Sequence, residues 1–292
     1  MKIIQKPDEM QRQSREIRCS GRRIGLVPTM GYLHEGHLSL VRLARERADV
    51  VVVSLFVNPT QFGPSEDFER YPRDPERDEA LCRQEKVDVL FCPASSDMYF
   101  PEASVTVRED RLSRGLCGAS RPTHFCGVCT VVAKLFHLCD PDVAVFGCKD
   151  AQQLRMIERM VRDLNFPVRI LRGPIVRESD GLAMSSRNVR LSPESRRQAV
   201  CLYQALRRAQ ELVSGGERRV EVVRGEVVRI LQQTPGVRID YVELVDEETL
   251  EPVETLTKPV LAALAVFFGD VRLIDNETLV PQAATGGFFR SR

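Results

Sequence analysis

The sequence predicts an α/β fold: a parallel sheet with helices on both faces, followed by a smaller α+β domain. Three observations point there. From residue 24 to about 172, short apolar runs alternate with apolar residues at helical spacing, the signature of strands and crossover helices in one sheet. Near Gly181 the pattern changes to two amphipathic helices followed by strands. At 292 residues, 43% hydrophobic and 28% charged, the chain has the composition of a globular protein with room for one large or two ordinary cores.

The first apolar run, residues 24–28, ends at Pro28. Behind it Leu40, Val41, Ala44 and Ala48 recur at helical spacing. Residues 50–56, 87–91, 143–146 and 168–171 read as further buried strands. Between them Val128, Val131, Val132, Leu135, Phe136 and Cys139 trace one helix face, and Leu154, Ile157 and Val161 another. Beyond the change, Leu202, Ala205, Leu206, Ala209, Leu212 and Val213 form a helix stopped by Ser214-Gly215-Gly216, and Val220, Val223, Val227 and Ile230 begin the next. Pro235-Gly236 turns into an alternating strand at 237–241, with further strand patterns at 260–268 and 271–274. The expected organisation is a Rossmann-like domain over residues 1–178, an α+β domain over 179–282 and a loose tail over 283–292.

Composition narrows the function. The 42 basic and 41 acidic residues leave a net charge of +1, which argues against a nucleic-acid or membrane-surface binder. No apolar run approaches the length of a membrane span and the N-terminus lacks a signal-peptide pattern, so a cytoplasmic protein is expected. Nine cysteines scattered among apolar patterns are expected to remain reduced. His124, Cys126 and Cys129, with Cys117, have a spacing that permits a structural zinc or redox site, the reading from a different class.

The most informative stretch runs from Pro28 to His37. It holds two of only four histidines, His34 and His37, around Gly36, where strand gives way to helix. A helix N-terminus carries unpaired N–H groups and about half a positive charge, so it favours an anion. Two imidazoles add donors for phosphate oxygens, and a glycine lets phosphate approach the backbone.

In an open parallel sheet ligands gather beyond the carboxyl ends of strands, so the other loops there are candidates too. Gln61 offers a neutral amide suited to hydroxyl groups. Gly147, Lys149 and Asp150 combine close approach, a compact positive charge and a helix cap or ribose partner, and Gln153 lies one turn on. Ser185, Ser186 and Arg187 can wrap a polyphosphate, and Arg121 can bind a carboxylate or phosphate.

Together the motifs P-T-M-G-x-L-H-x-G-H, F-V-N-P-x-Q-F, S-R-P-T-H-F, G-x-K-D-x-Q-Q and D-G-L-A-M-S-S-R-N, in this order and spacing, closely resemble the pantothenate synthetase family. That family lies in the H-x-G-H nucleotidyltransferase superfamily, alongside class I aminoacyl-tRNA synthetases. The resemblance extends from about residue 1 to Asn276. It implies ATP-dependent condensation of pantoate with β-alanine through a pantoyl-adenylate, with Mg²⁺, in a cytoplasmic homodimer.

Carried onto this chain, the resemblance implies an ATP site at Met30, Gly31, Tyr32, Leu33, His34, Glu35, Gly36 and His37, at Gly147, Cys148, Lys149 and Asp150, at Val176, and at Met184, Ser185, Ser186 and Arg187. It implies that His37 is the proton donor; the clamp expected on the charge that develops during adenylation is His34, His37, Lys149, Ser185 and Ser186 with Mg²⁺. Gln61, Gln153 and Arg121 are implied to hold pantoate, Gln61 also β-alanine, and Asp78 to stand near the metal. Three positions depart from the family pattern: Cys148 replaces a glutamate, Cys126 an arginine, and Arg77 an acid. The rival enzyme reading is another H-x-G-H nucleotidyltransferase acting on a phosphorylated acceptor, which would need a basic subsite where Gln61 and Gln153 are neutral.

Overall fold

The computed structural model describes residues 1–281 except Ser65. The expected tail, 283–292, lies outside the described residues. Two compact units divide the chain, Met1–Arg196 and Arg197–Arg292.

In the first unit six strands form one parallel sheet: β1 (Lys2–Ile4), β2 (Ile24–Thr29), β3 (Val50–Leu55), β4 (Val89–Phe91), β5 (Val143–Gly147) and β6 (Arg169–Gly173). Their spatial order is β1-β4-β3-β2-β5-β6. From β2 the chain winds outward through β3 to β4, then crosses back to β5 and winds the other way to β6. The reversal falls between β2 and β5, and the crevice at such a switch point is where doubly wound sheets bind ligands.

The crossover helices are α1 (Pro7–Cys19), α2 (Glu35–Arg45), α3 (Pro75–Gln84), the short α4 (Ser95–Met98) and α5 (Cys117–Ser120), α6 (His124–Cys139) and α7 (Ala151–Asp163). Side-chain alternation along the strands feeds two cores. On one face Val27, Val51, Val53 and Val145 pack with Leu40, Val41 and Ala44 of α2. Each such aliphatic side chain, fully buried, contributes about 1.5–3 kcal/mol. Residues on the opposite strand faces, Val52 and Ser54 among them, point the other way, towards α6.

The second unit begins within α8 (Pro193–Gln198) and contains α9 (Cys201–Ser214), α10 (Val220–Gln232) and an antiparallel sheet in the order β7 (Val237–Asp246), β8 (Val260–Phe268), β9 (Val271–Leu279). β8 is buried along nearly its whole length because it is central and packed. The expected α+β character holds, and α9 ends at Ser214 where the glycine pair stops it.

Two features differ from the sequence reading. The boundary falls after Arg196 rather than residue 178, because residues 177–187 fold back onto the first unit: Arg177 bridges Ala183, Met184 N–H donates to the Val176 carbonyl at 2.9 Å, and Ser186 Oγ donates to the Tyr32 carbonyl at 3.1 Å. Helices α1 and α3 went unread. Each buries a stripe too thin to register as periodicity: Met10, Ser14 and Ile17 in α1, and Asp78 and Cys82 in α3.

Candidate active site

The loop after β2 is held rigidly before α2 begins. Thr29 Oγ1 donates to the Ser54 carbonyl at 2.8 Å and accepts the Gly31 N–H at 3.2 Å. Gly31 and Tyr32 both adopt positive φ, +83° and +50°, a conformation that costs a non-glycine residue strain unless its surroundings hold it. Asp78 supplies that hold. One of its oxygens accepts the Tyr32 N–H and the other the Leu33 N–H, both at 2.7 Å. Burial pushes the Asp78 carboxyl above the usual carboxylate range, and these two N–H groups offset part of the rise.

His34 is the N-cap of α2 in extended backbone, so the histidine pair does stand at a helix N-terminus as expected. The His34 N–H donates to His37 Nδ1 at 3.3 Å, and the two rings lie 4.0 Å apart at 36°. A Cβ on Gly36 would lie 2.9 Å from His34 ring atoms. The glycine is therefore required by the imidazole, rather than only by an incoming phosphate.

Burial, then the Lys149 charge, lowers the His34 pKa to about 4. Burial, then His34 and Lys149, puts His37 well below its ordinary value. Both rings are neutral at pH 7. Because Nδ1 of His37 accepts a hydrogen bond, its single proton sits on Nε2 as a donor.

Around these rings the loops after β2, β3, β5 and β6 enclose a cavity of about 190 Å³. Met30, His34, Gly36, His37, Gly147, Lys149, Asp150, Val176 and Met184 to Arg187 line it, with Gln61 and Gln153. Two helix N-termini, those of α2 and α7, open onto it, which adds positive potential from both sides. Asp150 does not cap α7 with its side chain; its carboxylate stands 3.6 Å from Lys149 Nζ. Ser185 Oγ accepts the Arg187 N–H at 3.2 Å.

Gln61 is oriented from behind. Asn58 Nδ2 donates to its side-chain oxygen at 2.9 Å, leaving the Gln61 amide nitrogen to donate into the cavity. Its carbonyl meets His124 Nδ1 at 2.9 Å and accepts from Arg121 at 3.2 Å. α6 packs directly on this turn: a Cβ on Gly127 would lie 2.3 Å from the Thr60 carbonyl oxygen. Val128, Val131, Val132 and Leu135 of α6 form the apolar wall.

Several residues proposed from sequence lie off the cavity wall or are matched by another side chain. Arg121 is paired with Glu66 and braces the Gln61 carbonyl, so it is a buttress. Arg187 lines the cavity, but its guanidinium is matched to Asp67 by bonds of 2.9 and 3.0 Å. Leu33 is buried in the core, Glu35 pairs with Arg42, and neither Gly31, Tyr32 nor Cys148 is on the cavity wall.

Asp78, implied to stand near the metal, spends one acceptor site of each oxygen on the loop. Arg77, in place of the family's acid, has its guanidinium 5.1 Å from the Tyr32 ring centre. Among the described residues no group of three His, Cys, Asp or Glu is placed to hold a metal ion, so the zinc reading of His124, Cys126 and Cys129 fails there. Cys129 is fully buried and His124 is engaged with Gln61.

Sequence reasoning missed Asn58, Glu66, Asp67, Tyr71 and Gln152. Gln152 is buried and donates to the Leu112 and Gly115 carbonyls at 2.8 and 2.9 Å while accepting the Cys117 N–H at 3.0 Å. Only the adjacent glutamine, Gln153, faces the cavity. The valines of α6 were legible as a helix face, but nothing in their spacing separates core from cavity wall.

The chain matches the family model described as pantoate-beta-alanine ligase over residues 2–278. It is 59% identical to the pantothenate synthetase of Thermotoga petrophila over 96% of this chain and 100% of that protein. It is 56% identical to that of Thermosipho africanus, over 94% and 99%. Among solved structures, the pantothenate synthetase from Thermus thermophilus superposes with a TM-score of 0.91 at 45% identity, covering 96% of this chain and all of that one. The pantoate-beta-alanine ligase from Francisella tularensis, complexed with beta-gamma ATP and beta-alanine, gives 0.80 at 32%, covering 95% and 97%.

Proposed function

The chain belongs to the pantoate–β-alanine ligase family, and from that premise we propose that it joins pantoate to β-alanine with ATP as the driving substrate, giving pantothenate, AMP and pyrophosphate. The observation that carries this reading is the convergence, in one cavity, of two neutral imidazoles, Lys149 and two serines with the neutral amides of Gln61 and Gln153 beside an apolar wall. Charge is gathered where phosphates would lie, and neutral donors where a hydroxy acid would.

The reaction runs in two steps. A pantoate carboxylate oxygen attacks the α-phosphorus, the bond to pyrophosphate breaks, and pantoyl-adenylate forms. The β-alanine amine then attacks the acyl carbon, AMP leaves with the bonding electrons, and the amine loses a proton. Negative charge gathers on the α-phosphate oxygens and the departing pyrophosphate, so catalysis is mostly positioning and electrostatic stabilisation. His37 donates its Nε2–H to a phosphate oxygen, Lys149 supplies the fixed positive charge, and Ser185 and Ser186 complete the clamp with His34.

Magnesium is taken as part of the nucleotide substrate, held by phosphate oxygens and water. The family resemblance further supports a homodimer, and the balanced charge of +1 supports a protein that binds neither nucleic acid nor a membrane surface. No helix among the described residues is long and apolar enough to cross a membrane.

The test is AMP formation with each substrate omitted in turn. AMP release that requires pantoate, β-alanine and ATP together is expected, and ATP–pyrophosphate exchange should need pantoate alone. Exchange supported by a phosphorylated acceptor instead would transfer the chain to the rival nucleotidyltransferase reading.

A further inference from the structure

Asp67 stands in the loop between Gln61 and α3 and holds two arginines at once. Arg187 meets it with two bonds, Nε to Oδ2 at 2.9 Å and Nη2 to Oδ1 at 3.0 Å, and Arg190 Nη1 donates to Oδ2 as well. The face of the Arg187 guanidinium is held by Tyr71, whose ring centre lies 5.2 Å from Cζ. With one edge on a carboxylate and one face on an aromatic ring, the planar cation keeps a single orientation. Burial would raise the Asp67 carboxyl, but the hydrogen bonds and charge of Arg187 and the charge of Arg190 bring it below its ordinary value, so it is an anion at neutral pH.

Arg187 lines the cavity with Tyr71, Ser185 and Ser186, whereas Asp67 and Arg190 do not. Asp67 occupies Nε and Nη2, so Nη1 is the nitrogen left over, and it donates to no group among the described residues. Nor is it sealed: the enclosed polar side-chain atoms without a partner there belong to Ser14, His34, Ser54 and Asn188. One carboxylate against two guanidinium groups also leaves a surplus positive charge, and Arg187 is the member of the trio that brings it to the cavity wall.

We propose that Asp67 is a positioning residue for the adenylation step: by engaging one edge of Arg187 it aims the remaining Nη1 at the phosphates of the nucleotide, while touching no substrate itself. The inference rests on the ligase reading, in which the phosphates of ATP lie beside Ser185 and Ser186. A guanidinium free to swing would have to be ordered by each incoming nucleotide. One already fixed gives its hydrogen bond without that cost.

The experiment measures the KM for ATP and the inhibition constant of adenosine, which carries no phosphate, for Asp67→Asn, Arg187→Ala and the double variant, all below their melting transitions. Charge and orientation pull in opposite directions in Asp67→Asn: removing an anion beside two guanidinium groups would by charge alone tighten ATP, whereas loss of aim weakens it. The KM for ATP should rise about 10-fold, the scale of one charge-assisted hydrogen bond, with the adenosine constant within about twofold of wild type. Arg187→Ala should do the same, and the double variant little more than either. A lower or unchanged KM for ATP, equal losses for ATP and adenosine, or losses that multiply in the double variant would overturn the proposal. If Asp67→Asn fails to fold, Arg187→Lys decides, since an ammonium drawn onto Asp67 keeps the charge but has no second edge. A raised KM for ATP with unchanged adenosine inhibition then supports the proposal, and a wild-type KM overturns it. Failure of the ligase reading is separate, because wild type would then form no AMP in response to pantoate.

Discussion

Asp78 accepts the backbone N–H of Tyr32 at 2.7 Å across 46 residues of sequence, and with Leu33 N–H on its other oxygen it fixes the turn that aims the histidine pair. Asp78→Asn keeps the shape but replaces one acceptor with a donor facing a donor. The expected result is a loss of about 10-fold or more in kcat/KM for ATP with a melting temperature lower by a few degrees. The magnesium dependence should keep its midpoint. A variant whose main defect is a higher magnesium requirement would restore Asp78 to the metal.

His37→Ala should lower turnover about 10²-fold or more with little change in melting, the scale of losing one preorganised donor. Near-normal turnover would remove His37 from the mechanism.

Gly36→Ala tests the geometry of the same pair without touching either ring. Alanine favours the helix, yet its methyl would meet the His34 ring at 2.9 Å. Activity should fall while thermal stability stays level or rises. Wild-type activity would show that the ring placement is immaterial.

Adjacent glutamines should separate cleanly. Gln153→Ala is expected to raise the pantoate KM with an unchanged melting temperature, because its side chain faces the cavity. Gln152→Ala strips partners from three backbone groups and should cost about 2–4 kcal/mol of stability, read in chemical denaturation. If the two variants exchanged phenotypes, the placement of α7 would be wrong.

Acid should destabilise the fold through its buried imidazoles. His34 and His124 are each lowered to about 4, mainly by burial, from an ordinary 6.5. Between those values the unfolded chain binds protons that the folded chain does not, so stability rises with pH through this window and levels off above about 6.5. Each ring accounts for at most roughly 3 kcal/mol. A denaturation midpoint flat from pH 7 to pH 4 would contradict burial of these rings in neutral form.

The core strands and the histidine turn were legible because their determinants are local. Residues 50–56 are apolar almost without interruption, as a strand covered on both sides must be, and Pro28 and the H-x-G-H spacing mark a strand-to-helix junction within ten residues. Helix α3 was not legible, since its buried face consists of a carboxylate and a cysteine. A carboxylate reads as surface until its partners are known.

The sequence by itself determined the alternation of the core strands with α2, α6 and α7, the site of the histidine pair and, through its resemblance to known motifs, the membership of Gln61, Lys149, Gln153 and the serines in one cavity-forming set. These rest on periodicity, turn chemistry and motif spacing, all written in near neighbours. Only the tertiary structure decided that Arg121 and Arg187 are matched by Glu66 and Asp67, 55 and 120 residues away, and that Asp78 accepts the backbone N–H groups of Tyr32 and Leu33. A charge or hydroxyl takes its role from what lies within hydrogen-bond reach, and that distance is fixed by how the sheet brings remote segments together.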